Sequence, residues 1–202
     1  MDEYCTDNNE YIPYEHPLSF HRFIDENFYS LLNPEIRMPR ENIIFPDPKN
    51  PEKVTKIILD EIGGVDVCYG GFGINGHFAF NEPPKPGEPV DEDSVRNSTT
   101  RVVTLTCETK TALALGSTDG NWEIIPNKAV TLGMKELLSS KEIHLYFMRK
   151  WHAGVMRRAL FGPISPYFPA SYVQTHPRVT VTMTSYVAEL PSVNVRQAII
   201  LE

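Results

Sequence analysis

The stretch GGFGINGHFAFNEPP, Gly70 to Pro84, gathers four glycines, one histidine, one glutamate and two prolines directly after an apolar run. Within it, His77 is the residue able to exchange a proton near neutral pH. Glu82 follows five positions later, on neither the same helical face nor the same strand face, so only a chain that folds back can bring the two together. Pro83 and Pro84 suit such a turn. A carboxylate facing one imidazole nitrogen would fix the tautomer and raise the basicity of the other, which is the arrangement of a general acid or base. A plainer reading stands beside it: His77 bonds to backbone in a turn and Glu82 is solvated.

Gly71, Gly73 and Gly76 also fit the spacing G-x-G-x-x-G of a dinucleotide-binding turn. That motif needs a helix to begin at once, because the pyrophosphate rests on a helix N-terminus. Here HFAFNEPP follows, mostly alternating and closed by two prolines, and no acidic residue is evident at the end of the next strand. The glycines are therefore read as letting backbone approach a small substrate, with no cofactor expected.

The loop must be carried by the elements around it. VDVCYGG reads as a buried strand, and loops at the carboxyl ends of parallel strands line the ligand crevice. Upstream, Leu18 to Leu32 has helical spacing of Phe20, Phe23, Ile24, Phe28, Leu31 and Leu32, NIIFP reads as a short strand, and PEKVTKIILDEIGG as a helix opened by Pro51 and closed by Gly63 and Gly64. Strand, helix, strand implies a right-handed parallel crossover. Downstream, RVVTLT is a strand, KAVTLGMKELLSSK a strand then a helix, IHLYFM an apolar strand, WHAGVMRRALFG a helix capped by Gly162, and RVTVTM a last strand. The consistent solution is an α/β fold: an open, mostly parallel sheet with helices on both faces, three-layered and Rossmann-like, in a single domain over 1–202. PPKPGEPVDEDS and LGSTDGNWEIIPN resist assignment, and the second suggests a lid within 104–125.

Composition bounds the function. The 202 residues hold 19 basic and 26 acidic side chains, a formal charge of -7 without long runs of one sign. A small polar ligand fits this better than a nucleic acid. No apolar stretch approaches a membrane span and the acidic first residues are unlike a secretory signal, so a cytoplasmic protein is expected. Cys5, Cys68 and Cys107 form no CxxC pair, which indicates neither a disulfide framework nor a zinc site and leaves buried, reduced thiols. No metal is expected.

GFGINGHFAFNEP closely resembles the signature of the glucosamine-6-phosphate deaminases, the amino-sugar phosphate isomerase family, G-x-G-x-D-G-H-x-A-F-N-E-P, with Asn75 where the family has Asp. MDEY at Met1 to Tyr4 resembles the family's other catalytic motif. EHPLSFHRFIDENF, TRVVTLTCET, PNKAVTLGMKELLSSKEI and QTHP extend the likeness to about Leu190. The resemblance implies conversion of glucosamine 6-phosphate (or galactosamine 6-phosphate) to the ketose 6-phosphate plus ammonium, by ring opening and aldose-ketose isomerisation in a homo-oligomer. It implies that Asp2 takes the C2 proton and delivers it to C1, and that His77, held by Glu82, opens the ring.

Departures from the pattern bear on phosphate. The family's strand, phosphate loop and helix before MDEY are not in this sequence, which the resemblance reads as a chain lacking that first unit. Leu115 aligns with a phosphate-contacting arginine and His152 with a phosphate-contacting lysine, while Lys150, Arg149, Arg157 and Arg158 lie near enough to compensate or are simply solvated. Val103 replaces a lysine associated with allosteric regulation. Two other functions stay open: a sugar-phosphate sensor or subunit without chemistry, and a phosphogluconolactonase-like hydrolase, against which AFNEP argues.

Overall fold

The computed structural model describes residues 1–189; the end of the expected single domain, 190–202, lies outside the described residues. In chain order the elements are β1 (Glu3–Cys5), α1 (Phe20–Asn27), α2 (Glu52–Lys56), β2 (Val67–Gly70), α3 (Glu92–Arg96), β3 (Arg101–Thr104) and α4 (Cys107–Ser117). There follow β4 (Lys128–Thr131), α5 (Met134–Leu138), β5 (Glu142–Phe147), α6 (His152–Phe161), β6 (Val179–Met183) and α7 (Ser185–Ala188). The fold is α/β. Its parallel sheet has the order β2-β5-β6, with Val67 opposite Glu142 and Ile143 opposite Val179. A second sheet, β1-β4-β3, is antiparallel throughout, with Val130 facing Glu3 on one side and Val102 on the other. Local alternation marks strands but does not tell a parallel neighbour from an antiparallel one, so this sheet is not legible from pattern alone.

Several local expectations need correction. NIIFP is not a strand: Arg40–Asn42 is a 3-10 turn, and the segment after it is held by side chains, with the Phe45 ring 3.9 Å from that of His21 and Tyr11 Oη donating to the Pro46 carbonyl. The parallel pairs are instead those that β5 makes. The helix expected over Leu18 to Leu32 ends at Asn27, where Asn27 Nδ2 and Ser30 Oγ donate to the carbonyls of Phe23 and Glu26 and compete with the helical ladder. β2 is an edge strand with Tyr69 69% exposed, rather than a buried one. Cys107, the first residue of α4, is exposed, whereas Cys5 is buried and Cys68 half-buried. Burial pushes both of those thiols up to about 11.

The two unassigned stretches carry helix. Asp91 caps α3 by accepting from Ser94 N at 3.0 Å, and α4 runs on through Ser117 before turning at Asp119 (φ 49°) and Gly120 (φ 84°).

Two apolar cores flank the glycine loop. One joins Phe72 and Phe78 to Met134, Ile143, Leu145 and Phe147; the other joins Phe80 to Tyr4, Ile12, Leu105 and Ala129. Phe78 and Phe80 belong to different cores although they are two residues apart. The reversal comes from Ala79, whose φ of 53° turns the chain between them. A non-glycine residue at positive φ costs energy and persists where its surroundings over-determine it, here through the two buried rings.

Candidate active site

The first residue of β1 and the residue before it divide the work. Glu3 is fully buried and turns inward: Oε1 accepts from the backbone N–H of Tyr4 (2.7 Å) and Phe20 (3.1 Å), and Oε2 accepts from Ser19 Oγ (3.0 Å) and His21 N (2.7 Å). Its charge thus sits on the N-terminus of α1, which also favours it. Because side chains alternate along an extended chain, this anchor turns Asp2 the other way. Asp2 Oδ1 accepts from Leu132 N at 3.1 Å, just past the end of β4, and burial pushes its carboxyl above the usual range.

Asp2 faces a cavity of about 780 Å³ that is also lined by Gly71, Gly73, His77, Arg149 and His152. The loop seats His77 closely. Gly73 N donates to the His77 carbonyl (2.9 Å), and the imidazole lies where a Cβ on Gly73 would stand. Glu82 is brought back to the ring as the spacing requires, with Oε2 3.4 Å from Nδ1.

Asn75 lies between them. Its Nδ2 donates to Glu82 Oε2 (2.7 Å) and to Thr106 Oγ1 (2.9 Å), while its Oδ1 accepts from the His77 backbone N–H (3.2 Å) and stands 2.8 Å from Nδ1. A carboxylate cannot donate, so the amide nitrogen must face Glu82 and the amide oxygen His77. Burial raises the Glu82 pKa, but hydrogen bonding and charge from His77, together with the Asn75 amide, outweigh it and hold the carboxyl below its ordinary range. Thr106, which caps α4, adds its backbone N–H to Glu82 Oε1 at 3.3 Å.

The other expected site residues separate. Gly76 is not among the cavity-lining residues: its φ is 84° and a Cβ there would overlap the Phe168 ring, so it serves packing. Lys150 is exposed and likewise not among them. His152 lines the cavity, but its Nδ1 accepts from Arg149 N at 3.1 Å, and burial together with the Arg149 charge lowers its pKa to about 4. It is neutral at pH 7. Arg157 is spent on the carbonyls of Ala153, Val187, Ala188 and Glu189, and Arg158 covers the Phe168 ring at 4.2 Å. Arg149 is the neighbouring cation that does reach the cavity, its guanidinium packed against Gly116 of α4. Leu115 on the same helix is 79% exposed.

Thr106 and Thr109, which join this network, are not singled out by motif reading. The available signal is a helix cap, Thr-x-x-Thr at the end of a strand. Among the described residues no three His, Cys, Asp or Glu side chains gather as a metal site, and no helix is long and apolar enough to cross a membrane.

No family model matches the chain. It is 32% identical over 181 residues to a glucosamine-6-phosphate deaminase of Thermoanaerobacter pseudethanolicus, covering 87% of this chain and 66% of that one. Against the enzyme of the same name from Halothermothrix orenii it is 32% identical over 195 residues, covering 94% and 73%. The chain thus spans about two thirds of the length of these curated relatives. Among solved structures, a monomeric glucosamine-6-phosphate deaminase matches with a TM-score of 0.73 at 31% identity, over 95% of this chain and 73% of that one. A 6-phosphogluconolactonase from Trypanosoma brucei shares the fold at a TM-score of 0.62 and 13% identity. With an imidazole and a carboxylate from two different sheets facing one cavity, the chain belongs to the glucosamine-6-phosphate deaminase family.

Proposed function

We propose that the chain isomerises and deaminates an amino-sugar 6-phosphate, giving the ketose 6-phosphate and ammonium. The observation that carries this reading is that Asp2 and His77 line the same cavity from separate sheets. His77 Nε2 takes the proton of the anomeric hydroxyl and passes it to the ring oxygen, which opens the ring. Asp2 then removes the C2 proton and returns it to C1 while the substrate ammonium gives up one proton to the C1 oxygen, leaving a protonated imine at C2 that water hydrolyses to the ketone and ammonium. A carboxylate lifted by burial is better matched to a carbon acid than an ordinary one. Asn75 and Gly73 hold the imidazole, Gly71, Gly73 and His152 line the cavity where the substrate would lie, and Arg149 is the cation within reach of the phosphate; Lys150 and Gly76 would act from outside the cavity. Residues 1–202 are read as one cytoplasmic domain with 104–125 as its lid, working as a homo-oligomer, for which light scattering in solution is the test.

Ammonium release from glucosamine 6-phosphate, with exchange of the C2 hydrogen into heavy water, tests the reaction. His77→Gln should lower turnover by roughly 100-fold or more, the scale of a lost general acid or base. Unchanged turnover in a folded variant rejects the reading. A second reading, a sugar-phosphate binder without chemistry, is favoured by the neutral His152 and the exposed Leu115. Binding of the sugar phosphate without C2 exchange would establish it.

A further inference from the structure

Two hydrogen-bond chains run from Glu82 to the same atom of His77. The first passes through Asn75, as described. The second passes through α4. Thr106 Oγ1 lies 3.2 Å from Glu82 Oε2 and, facing a group that only accepts, must donate. With that proton used, the 3.3 Å contact between the Thr106 and Thr109 hydroxyls is filled by the proton of Thr109. The Thr109 oxygen then has only acceptor capacity left, and it stands 3.1 Å from His77 Nδ1. Both chains therefore require the proton on Nδ1. They leave Nε2, for which no hydrogen bond is found among the described residues, bare beside Gly73, with His77 lining the cavity.

We propose that Thr109 is a positioning residue: with Asn75 it holds His77 as the Nδ1–H tautomer, and because Thr106 and Thr109 form the first turn of α4, the helix that begins the lid is tied to the proton-transfer group. The inference rests on the reaction proposed above for its kinetic consequence, though not for the tautomer itself. Thr109 is 3% exposed and reaches the edge of the cavity, so its hydroxyl is committed chiefly to the protein groups around it. Deleting it removes one of the three acceptors that face Nδ1–H, the others being Asn75 Oδ1 at 2.8 Å and Glu82 Oε2 at 3.4 Å, and lets the ring sample the other tautomer, in which Nε2 can no longer take the anomeric proton.

Nitrogen-15 spectra of imidazole-labelled protein separate protonated from bare ring nitrogens. The expected result for the unaltered chain is a protonated Nδ1 and a bare Nε2 on His77. Thr109→Val, which keeps the shape, should shift a measurable fraction toward Nε2–H and lower kcat on the cyclic sugar by roughly 10-fold with little change in KM, while Thr109→Ser restores both. A protonated Nε2 in the unaltered chain, or an unchanged tautomer in Thr109→Val, overturns the proposal. Should Thr109→Val not fold, the spectrum of the unaltered chain and that of Thr109→Ser still decide. Failure of the unaltered chain to release ammonium rejects the proposed reaction and leaves the spectra to judge Thr109.

Discussion

Asn75 donates its amide to Glu82 across 2.7 Å, so these two side chains can stand together only while one of them is uncharged. The family motif has Asp at this position, and Asn75→Asp would set two carboxylates at hydrogen-bond distance. One of them must then keep a proton, which raises a folded-state pKa above the unfolded value of about 4. A carboxyl raised on folding binds more protons folded than unfolded, so its contribution to stability is lost as pH rises above the unfolded pKa. The expected outcome is a urea midpoint for Asn75→Asp that falls increasingly below that of the unaltered chain from pH 5 to pH 8. A constant gap would mean that neither carboxyl is raised on folding.

Glu3 should matter to both fold and activity. Its carboxylate closes three hydrogen bonds at the start of α1 and a fourth to Tyr4 N while fully buried. Glu3→Ala leaves those donors unmet and should cost roughly 3 kcal/mol, the scale for hydrogen bonds to a charged group. Chemical denaturation measures it. Because Asp2 is aimed by this anchor, C2 exchange in the folded fraction should also drop. A variant with unaltered stability would show that water replaces the carboxylate.

Asp2 itself is held in a place that disfavours its charge. Asp2→Asn can keep the acceptor for Leu132 N without that charge, so Tm at pH 7 should rise. The gain should vanish as pH falls through the ordinary carboxylate range, where the unaltered side chain is also neutral. C2 exchange should fall by roughly 100-fold or more. A lower Tm at pH 7 would show that the buried carboxylate is stabilised by a partner other than Leu132.

The spacing and the two prolines leave the pairing of His77 with Glu82 open beside a plain turn, and the chain folds back so that the two meet; Asp2 is singled out by motif resemblance alone. The strands β2 to β6 also follow from side-chain pattern, because burial on one or both faces is written in side-chain type, whereas β1 goes unread and NIIFP imitates a strand it does not form. What the letters do not carry is long-range partnership. Nothing local tells that Glu3 belongs to α1, that β4 is shared by β1 and β3, or that Phe45 packs on His21 instead of entering a sheet. Gly76 shows the same limit: nothing in the letters around it tells that the Phe168 ring, ninety-two positions away, packs where its Cβ would stand.

That packing role makes a sharp comparison with Gly120. Both glycines have φ of 84°, but a Cβ on Gly76 would overlap the Phe168 ring, whereas nothing lies within 4 Å of one on Gly120. Gly120→Ala should cost only the backbone strain, about 1 kcal/mol. Gly76→Ala adds displacement of a buried ring, roughly 1–3 kcal/mol more. The two unfolding free energies, measured side by side, check this. Equal losses would mean that the Phe168 ring moves aside without penalty.

Phosphate recognition gives the last prediction. The cavity offers Arg149 as its permanent cation, while His152, with a pKa near 4, is neutral at pH 7 and Lys150 stays outside. A single guanidinium can grip a phosphate by two parallel hydrogen bonds, but there is little further charge to share the dianion. Removing the 6-phosphate from the amino sugar should therefore weaken binding by less than roughly 1000-fold, about 4 kcal/mol. Arg149→Ala should account for most of that loss and leave affinity for the unphosphorylated sugar unchanged. His152→Lys places a second cation on the same cavity wall, where it should raise affinity for the phosphate ester by roughly 10-fold at low salt and less at high salt. Calorimetric titration of the three proteins, each with the phosphorylated and the unphosphorylated sugar, reads all three effects. A larger phosphate contribution that survives Arg149→Ala would put the anion against backbone N–H groups instead, and Gly71 and Gly73 would be the first place to look.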